Sequence, residues 1–352
     1  MRIVKLKKEN FLEFMEGIST ISELIAPIRN GDKVSFQPVK DFNKIDLNAT
    51  RTILPPKKFF VPSSFAMFRI SNQTYEPDFS HIKNRILFGI HPCDIHGLLV
   101  LDRLFMQELQ DPYYTKARIS TLIIGVSCMP DDYCMAKSMG THVVEEGFDL
   151  FLNDLGSFYL VFIGSSKGDD LIRLKTGLFE ETITGEDIQK YVEWQTKRDA
   201  SYKNGINFIA MPRLMELKYR DAFWDKLDLA CLSCGSCSMV CPTCNCYNVV
   251  DRKEPGESPV ERVRHWDSCT LHDYSLVAGG ENFRKSRKNR LKLFYTHKLE
   301  AYAGKYGKPG CVGCGRCIVI CPVGINVKSV AQALEGNEIK EFWNIANLEV
   351  LK

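Results

Sequence analysis

One cysteine run occurs twice in this chain with identical spacing: Cys231-x-x-Cys234-x-x-Cys237-x-x-x-Cys241-Pro242 and Cys311-x-x-Cys314-x-x-Cys317-x-x-x-Cys321-Pro322. Three thiolates spaced three positions apart on a tightly turned loop can each reach one iron of a cubane, while the fourth is carried away to serve the other cluster. By that crossed rule one [4Fe-4S] cluster takes Cys231, Cys234, Cys237 and Cys321, and the second takes Cys311, Cys314, Cys317 and Cys241. Gly235 and Gly315 lie inside the two loops, where a bulky side chain would obstruct close approach of the backbone. Structural zinc also accepts paired C-x-x-C, but it needs neither the further cysteines at these spacings nor the proline after each run.

The two runs account for eight of fourteen cysteines, and only Cys93, Cys128 and Cys134 precede residue 231. This step in composition divides the 352-residue chain into an α/β domain, residues 1–215, with a parallel sheet core, and an α-rich ferredoxin-type domain, residues 216–352. The latter carries a long insertion at about 247–308, since 69 residues separate Cys241 from Cys311, more than a compact two-cluster ferredoxin uses. Cys244, Cys246 and Cys269 fall between the runs, as does FRKSRKNRLKLFYTHK, whose seven Lys/Arg read as a solvated basic helix face or as a docking surface for an acidic redox partner. Charge is otherwise balanced, 46 Lys+Arg against 43 Asp+Glu, so nucleic acid is not an obvious partner. The amino terminus lacks a secretory signal, and no stretch approaches the roughly 18 apolar residues of a membrane span. A cytoplasmic location follows as an expectation, with the thiols reduced or bound to metal.

In the amino-terminal region RILFGI (85–90) and TLIIGV (121–126) read as short buried strands. Asp94 is a plausible cap for the helix between them, which makes the strands parallel. Cys93 and Cys128 then lie just past the ends of the two strands, where ligands of open α/β sheets gather, with Cys134 on the same loop and His91, Asp94 and His96 at the same edge. Three cysteines there can ligate a third iron-sulfur cluster, with Asp94, Cys244, Cys246 or Cys269 as the fourth ligand. Ordinary buried thiols are the competing reading, and a zinc site or a redox-active thiol pair are others. Further on, FDLFLNDLGSFYLVFIG reads as a hairpin, and Gly185–Tyr202 and Met211–Leu227 as helices. Ile318, Val319 and Ile320 are expected to line the cluster beside Cys321.

No G-x-G-x-x-G follows a strand, and neither a phosphate-cradling loop nor a catalytic motif of the common hydrolases is present. The chain has wires without an evident catalytic terminus, as befits a subunit of a larger oxidoreductase.

RTILPPKKFFVP near position 51, FGIHPCDIHGLLVLD from 88, GVSCMPDDYC from 125, GFDLF from 147, CPTCNCYNVVD from 241, WDSC from 266 and GCVGCGRCIVICP from 310 span nearly the whole chain. Together they resemble the beta subunit of cytoplasmic NiFe sulfhydrogenases, and are similar also to the A subunit of anaerobic sulfite reductase. The resemblance implies a non-catalytic electron-transfer subunit with two [4Fe-4S] clusters. Its implied partners are a flavin subunit handling NAD(P)H and a NiFe hydrogenase module. A sirohaem sulfite reductase or a heterodisulfide-reductase-like complex is the alternative, and a reductase acting alone at Cys93, Cys128 and Cys134 is a further one. One departure is visible: sulfhydrogenase relatives tend to carry Cys-x-Cys where this chain has Cys134 followed by Met135 and Ala136.

Overall fold

The computed structural model describes residues 2–71, 74–253 and 259–339. Met1, residues 254–258 of the expected insertion and residues 340–352 of the expected carboxyl-terminal domain lie outside the described residues. In chain order the strands are β1 (Arg2–Lys7), β2 (Glu23–Asn30), β3 (Lys33–Pro38), β4 (Ser64–Ser71), β5 (Thr74–Pro77), β6 (Arg85–Ile90), β7 (Thr121–Val126), β8 (Leu150–Asp154), β9 (Phe158–Ile163), β10 (Phe179–Glu180), β11 (Tyr247–Arg252) and β12 (Val260–Trp266).

Eight of them form a mixed sheet in the order β10-β1-β9-β8-β7-β6-β2-β3. The four inner strands β2, β6, β7 and β8 run parallel, and antiparallel strands flank them. Burial on both faces explains why β6 is apolar from Ile86 to Ile90. Ile86 and Phe88 enter one apolar cluster with Phe11, Phe14 and Ile18 of the helix Phe11–Ser19. Leu87 and Ile90 join Ile95, Leu98 and Leu101 of the helix Pro92–Phe105 on the other face.

Strict alternation would put Ile90 with Phe88. The β6–β7 ladder slips between Phe88 and Ile90, at Gly89 with φ +79°, and this extra residue carries Ile90 to the side of Leu87. A bulge of this kind re-aims the chain that follows, which here is His91-Pro92-Cys93. The helix starts at Pro92 with His91 in the cap position, so Asp94 lies in its first turn and is not the cap. Proline is favoured there because its missing N–H has no helical partner to lose.

The hairpin expected around Asn153 to Gly156 is β8–β9. The helix expected from Gly185 ends at Ala200 and opens with a capping box between Thr184 and Asp187. The expected helix Met211–Leu227 is in fact two, Met211–Leu217 and Phe223–Ala230. Asp221 breaks it: its carboxylate accepts from the Phe223 amide at 2.9 Å, a local bond that competes with helix continuation.

A second sheet, β11-β12-β4-β5, pairs a hairpin from the expected insertion with one from the amino-terminal region. The two regions are thereby tied by backbone hydrogen bonds. Among the described residues no helix is long and apolar enough to cross a membrane.

Candidate iron-sulfur centres

The two cysteine runs fold alike. Each contains a glycine with φ +75°, Gly235 or Gly315, that opens a short helix, Ser236–Met239 or Arg316–Ile320. In each, the amide two residues after the first cysteine points at that cysteine's sulfur: Ser233 N–H donates to Cys231 Sγ at 3.3 Å, and Gly313 N–H to Cys311 Sγ at 3.4 Å. Backbone amides aimed at ligand sulfurs are among the levers that set cluster potential. Ser233 holds φ +52°, the single non-glycine residue in that region among the described ones.

Cys231, Cys234, Cys237 and Cys321 border a common cavity of about 30 Å³, closed by Leu291, Tyr295, Val323 and Ile325. Burial, reinforced by Cys231, Cys321, Cys241 and Cys234, pushes the Cys237 thiol up to about 12. Around the other run, Cys311 faces Cys241 and Cys314, and Cys317 faces Cys311, Cys314 and Cys241. Each run therefore receives the last cysteine of the other. Four thiols round an enclosed, largely apolar space are the donor set a cubane takes. Among the described residues no three His, Cys, Asp or Glu side chains are gathered closely enough to hold a single ion. Val319 and Ile320, expected in the lining, are exposed, and their place is taken by the residues that close the cavity.

The basic stretch is solvated only in part: Lys285 is exposed, and Arg284, Arg287 and Lys288 are partly so. Arg290, Lys292 and Lys298 are buried. Arg290 donates to the carbonyls of Thr270, Arg284 and Lys285 and to Ser233 Oγ, while Arg287 donates to the Cys231 carbonyl at 2.8 Å, so the helix Arg287–Thr296 braces the first loop. Lys298 Nζ donates to Thr243 Oγ1 at 2.7 Å, and that oxygen lies 3.2 Å from Cys241 Sγ. Although burial alone would lower it, Lys298 is held well above the ordinary lysine range by Cys241 and Cys244. Lys57, from the PPKK segment, is also buried, donates to the Cys244 carbonyl at 3.0 Å and packs over Trp266. Burial lowers its pKa, and Cys244 and Cys241 oppose that shift. Tyr295 is buried against Cys237, Cys321 and Cys231 of one set and Cys317 of the other.

Cys93, Cys128 and Cys134 do come together. Cys93 faces Cys128 and Cys134, and both Cys93 and Cys134 face Cys314, so the trio adjoins the second set. Burial raises all three thiols, Cys128 to about 12, and the phenol of Tyr202 is turned toward them. Of the fourth ligands suggested from sequence, Asp94 stands beside Cys93 and Cys128 but is engaged by Arg316, whereas Cys244, Cys246 and Cys269 are grouped near Lys298. Both Asp94 oxygens accept from Arg316, at 2.6 and 2.7 Å, in an ion pair whose side chains are 2 and 3% exposed. Arg316 also donates to the Thr52 carbonyl at 2.9 Å. Cys244 hydrogen-bonds with Cys241, and Cys246 with Cys269, all near Lys298. His91 is buried at the helix start, and His96 Nε2 bonds the Val143 carbonyl at 2.8 Å.

Lys57, Thr243, Tyr295, Lys298 and Arg316 were not singled out from sequence. The available signal was the basic run itself: Arg290 and Lys298 are eight positions apart, on one helical face.

Comparison with known proteins bears on the same residues. Residues 230–325 match the 4Fe-4S dicluster domain family. The chain is 39% identical over 342 residues, 96% of its length and 99% of the relative's, to sulfhydrogenase 2 subunit beta of Pyrococcus furiosus. It is also similar to the D subunits of the dihydromethanophenazine:CoB–CoM heterodisulfide reductases of Methanosarcina barkeri and Methanosarcina mazei, at 30% and 29% identity. Each match covers 115 residues, 32% of this chain and 24% of the relative.

Proposed function

This chain belongs to the family of sulfhydrogenase beta subunits, and from that premise we propose that it relays electrons between a flavin/NAD(P) diaphorase subunit and a NiFe hydrogenase module. The observation that carries the reading is the exchange of Cys241 and Cys321 between two like-folded loops. Cys231, Cys234, Cys237 and Cys321 would hold one [4Fe-4S] cluster, and Cys311, Cys314, Cys317 and Cys241 the other. Such clusters supply one-electron transfer. The chain's own residues exclude water around them, donate amide hydrogens to sulfur, and place the Lys298 ammonium beside Cys241 and Cys311. In place of a catalytic residue set, the chain offers a conductor whose chemistry begins and ends on its partners. Residues 1–215 are read as the platform and residues 216–352 as the cluster-bearing domain.

The trio Cys93, Cys128 and Cys134 supports a third cluster as a second reading, because its thiols converge next to Cys314. Iron content separates the two: about eight irons leave the trio as buried thiols, and about twelve fill it. The match to the heterodisulfide reductase D subunits keeps the same relay in a different complex as the alternative partner assignment.

The test is reconstitution. Anaerobically purified chain should show broad visible absorption that dithionite bleaches, and neither NAD(P)H nor H2 should bleach it until the flavin or NiFe subunit is added. Bleaching by either reductant with the chain alone would refute the relay.

Lys298→Met should lower the potential of the cluster nearest to it. A unit charge ~8 Å away contributes about 2 kcal/mol at an effective dielectric of about 20, or on the order of 90 mV for a one-electron couple. Potentiometric EPR measures the shift, and an unchanged pair of potentials would show that the charge is screened.

A further inference from the structure

Lys57 stands in the turn Pro56–Phe59, where its carbonyl accepts from the amides of Phe60 at 3.0 Å and Val61 at 2.8 Å. Its side chain is 3% exposed and runs into the cysteine-rich half of the chain. There Nζ donates to the carbonyls of Ser238, at 3.4 Å, and Cys244, at 3.0 Å, and lies 4.4 Å from the centre of the Trp266 ring. Trp266 is fixed in turn, since its Nε1 donates to the Val61 carbonyl at 2.9 Å. Pro242, between the two carbonyls, packs on the helix Pro92–Phe105 at Gly97, where a Cβ would come within 2.8 Å of the proline.

The two carbonyls bracket Cys241, the cysteine that leaves its own run for the other set. Lys298 reaches the same segment from the basic run, donating to Thr243 Oγ1 at 2.7 Å. Two other buried cations have carboxylates: Arg264 pairs with Asp111, and Arg316 with Asp94. Among the described residues Lys57 and Lys298 have none, and their partners are neutral oxygens and aromatic faces. A buried ammonium without a counter-charge is costly, and the anion at hand is the thiolate set to which Cys241 belongs. The other crossing is built differently: Val323, the counterpart of Thr243, joins Leu291, Tyr295 and Ile325 in an apolar wall. We propose that Lys57 is a positioning residue of the second cluster, clamping the segment that carries Cys241 across and acting as a buried counter-charge to the set of Cys311, Cys314, Cys317 and Cys241. The inference rests on the relay reading for the presence of that cluster.

One ammonium then has two effects. As a donor to carbonyls on both sides of Cys241, it fixes how far that cysteine reaches from its own run. As a charge in a site shielded from water, it favours the more negative, reduced state of the cluster over the oxidised state, and so raises the midpoint potential. The second effect falls with distance and is screened little by salt in a buried site, so it acts on the cluster ligated by Cys241 more than on the other. Substitutions separate charge from space. Methionine fills the volume without donor or charge, glutamine donates without charge, and arginine keeps both and stacks on an indole face.

The experiment uses the full-length cluster-loaded protein and its Lys57→Met, Lys57→Gln and Lys57→Arg variants, titrated anaerobically and followed by EPR, with iron counted in each sample. The signal missing from Cys311→Ser marks the second cluster. Lys57→Met and Lys57→Gln should shift the midpoint potential of that signal downward, or lose that signal alone with about half the iron, while the other signal stays at its wild-type potential. Lys57→Arg should keep both signals, the second close to its wild-type potential. The proposal is overturned if both potentials match the wild type in Lys57→Met or in Lys57→Gln, if the first signal moves or disappears together with the second, if Lys57→Arg departs from the wild type as far as Lys57→Met, or if no Lys57 variant retains either cluster. A wild type without two cubanes would fail the relay reading before any variant is compared, so the two failures are distinct.

Discussion

Cys321→Ser and Cys231→Ser are expected to lose the same cluster and leave the same residual spectrum, although ninety positions separate the two residues. Cys241→Ser and Cys311→Ser should leave the other. The reason is the exchange between loops: Cys321 borders the cavity of Cys231, Cys234 and Cys237, while Cys311 and Cys317 face Cys241. Uncrossed ligation, each run closing on its own fourth cysteine, predicts a different grouping, with Cys321 sorting with Cys311 and Cys241 with Cys231. Each variant should hold about half the wild-type iron, since a cubane that loses one thiolate exposes an iron to solvent. EPR of the dithionite-reduced variants distinguishes the groupings directly.

The second large effect concerns the ion pair between Asp94 and Arg316, which joins the helix behind the sheet edge to the helix of the second cysteine run. Asp94→Ala should destabilise the protein by about 3–5 kcal/mol, because it leaves a guanidinium buried without a counter-charge. Thr52 would still accept from Arg316, but two neutral acceptors do not replace a carboxylate gripping it from both sides. Arg316 also stands next to Cys314, so thermal bleaching of Asp94→Ala should remove the cluster of Cys241 and Cys311 before that of Cys231 and Cys321. A double replacement, Asp94→Leu with Arg316→Met, should recover much of the loss, since an apolar pair of similar volume carries no desolvation cost. Equal loss in the single and double variants would place the effect in packing and not in charge.

What the sequence disclosed and what it hid divide along physical lines. β6, β7, the hairpin β8–β9 and the helix from Gly185 were legible because hydrophobic period and capping are local. The thiol sets were legible because cluster ligation fixes spacing. The pairing of β4–β5 with β11–β12 was not, because antiparallel register between distant segments leaves no local trace. Nor was the partner of Asp94, 222 residues away at Arg316. The buried members of the basic run, Arg290, Lys292 and Lys298, were hidden for a related reason: a lysine or arginine looks solvated until its surroundings are known, and Lys298 lies beside the sulfurs of Cys241 and Cys244. Asp221 divided a helix whose apolar period continued through it, since period does not register a side chain that bonds its own backbone.

The proposed relay depends on two cubanes held within this one chain. Iron and acid-labile sulfide determined on the anaerobically purified full-length protein, with metals counted in the same sample, test that directly. The expected result is at least about eight of each per chain and negligible zinc, with two separable EPR signals on stepwise reduction. About four irons, or a colourless protein whose cysteines carry zinc, would contradict it.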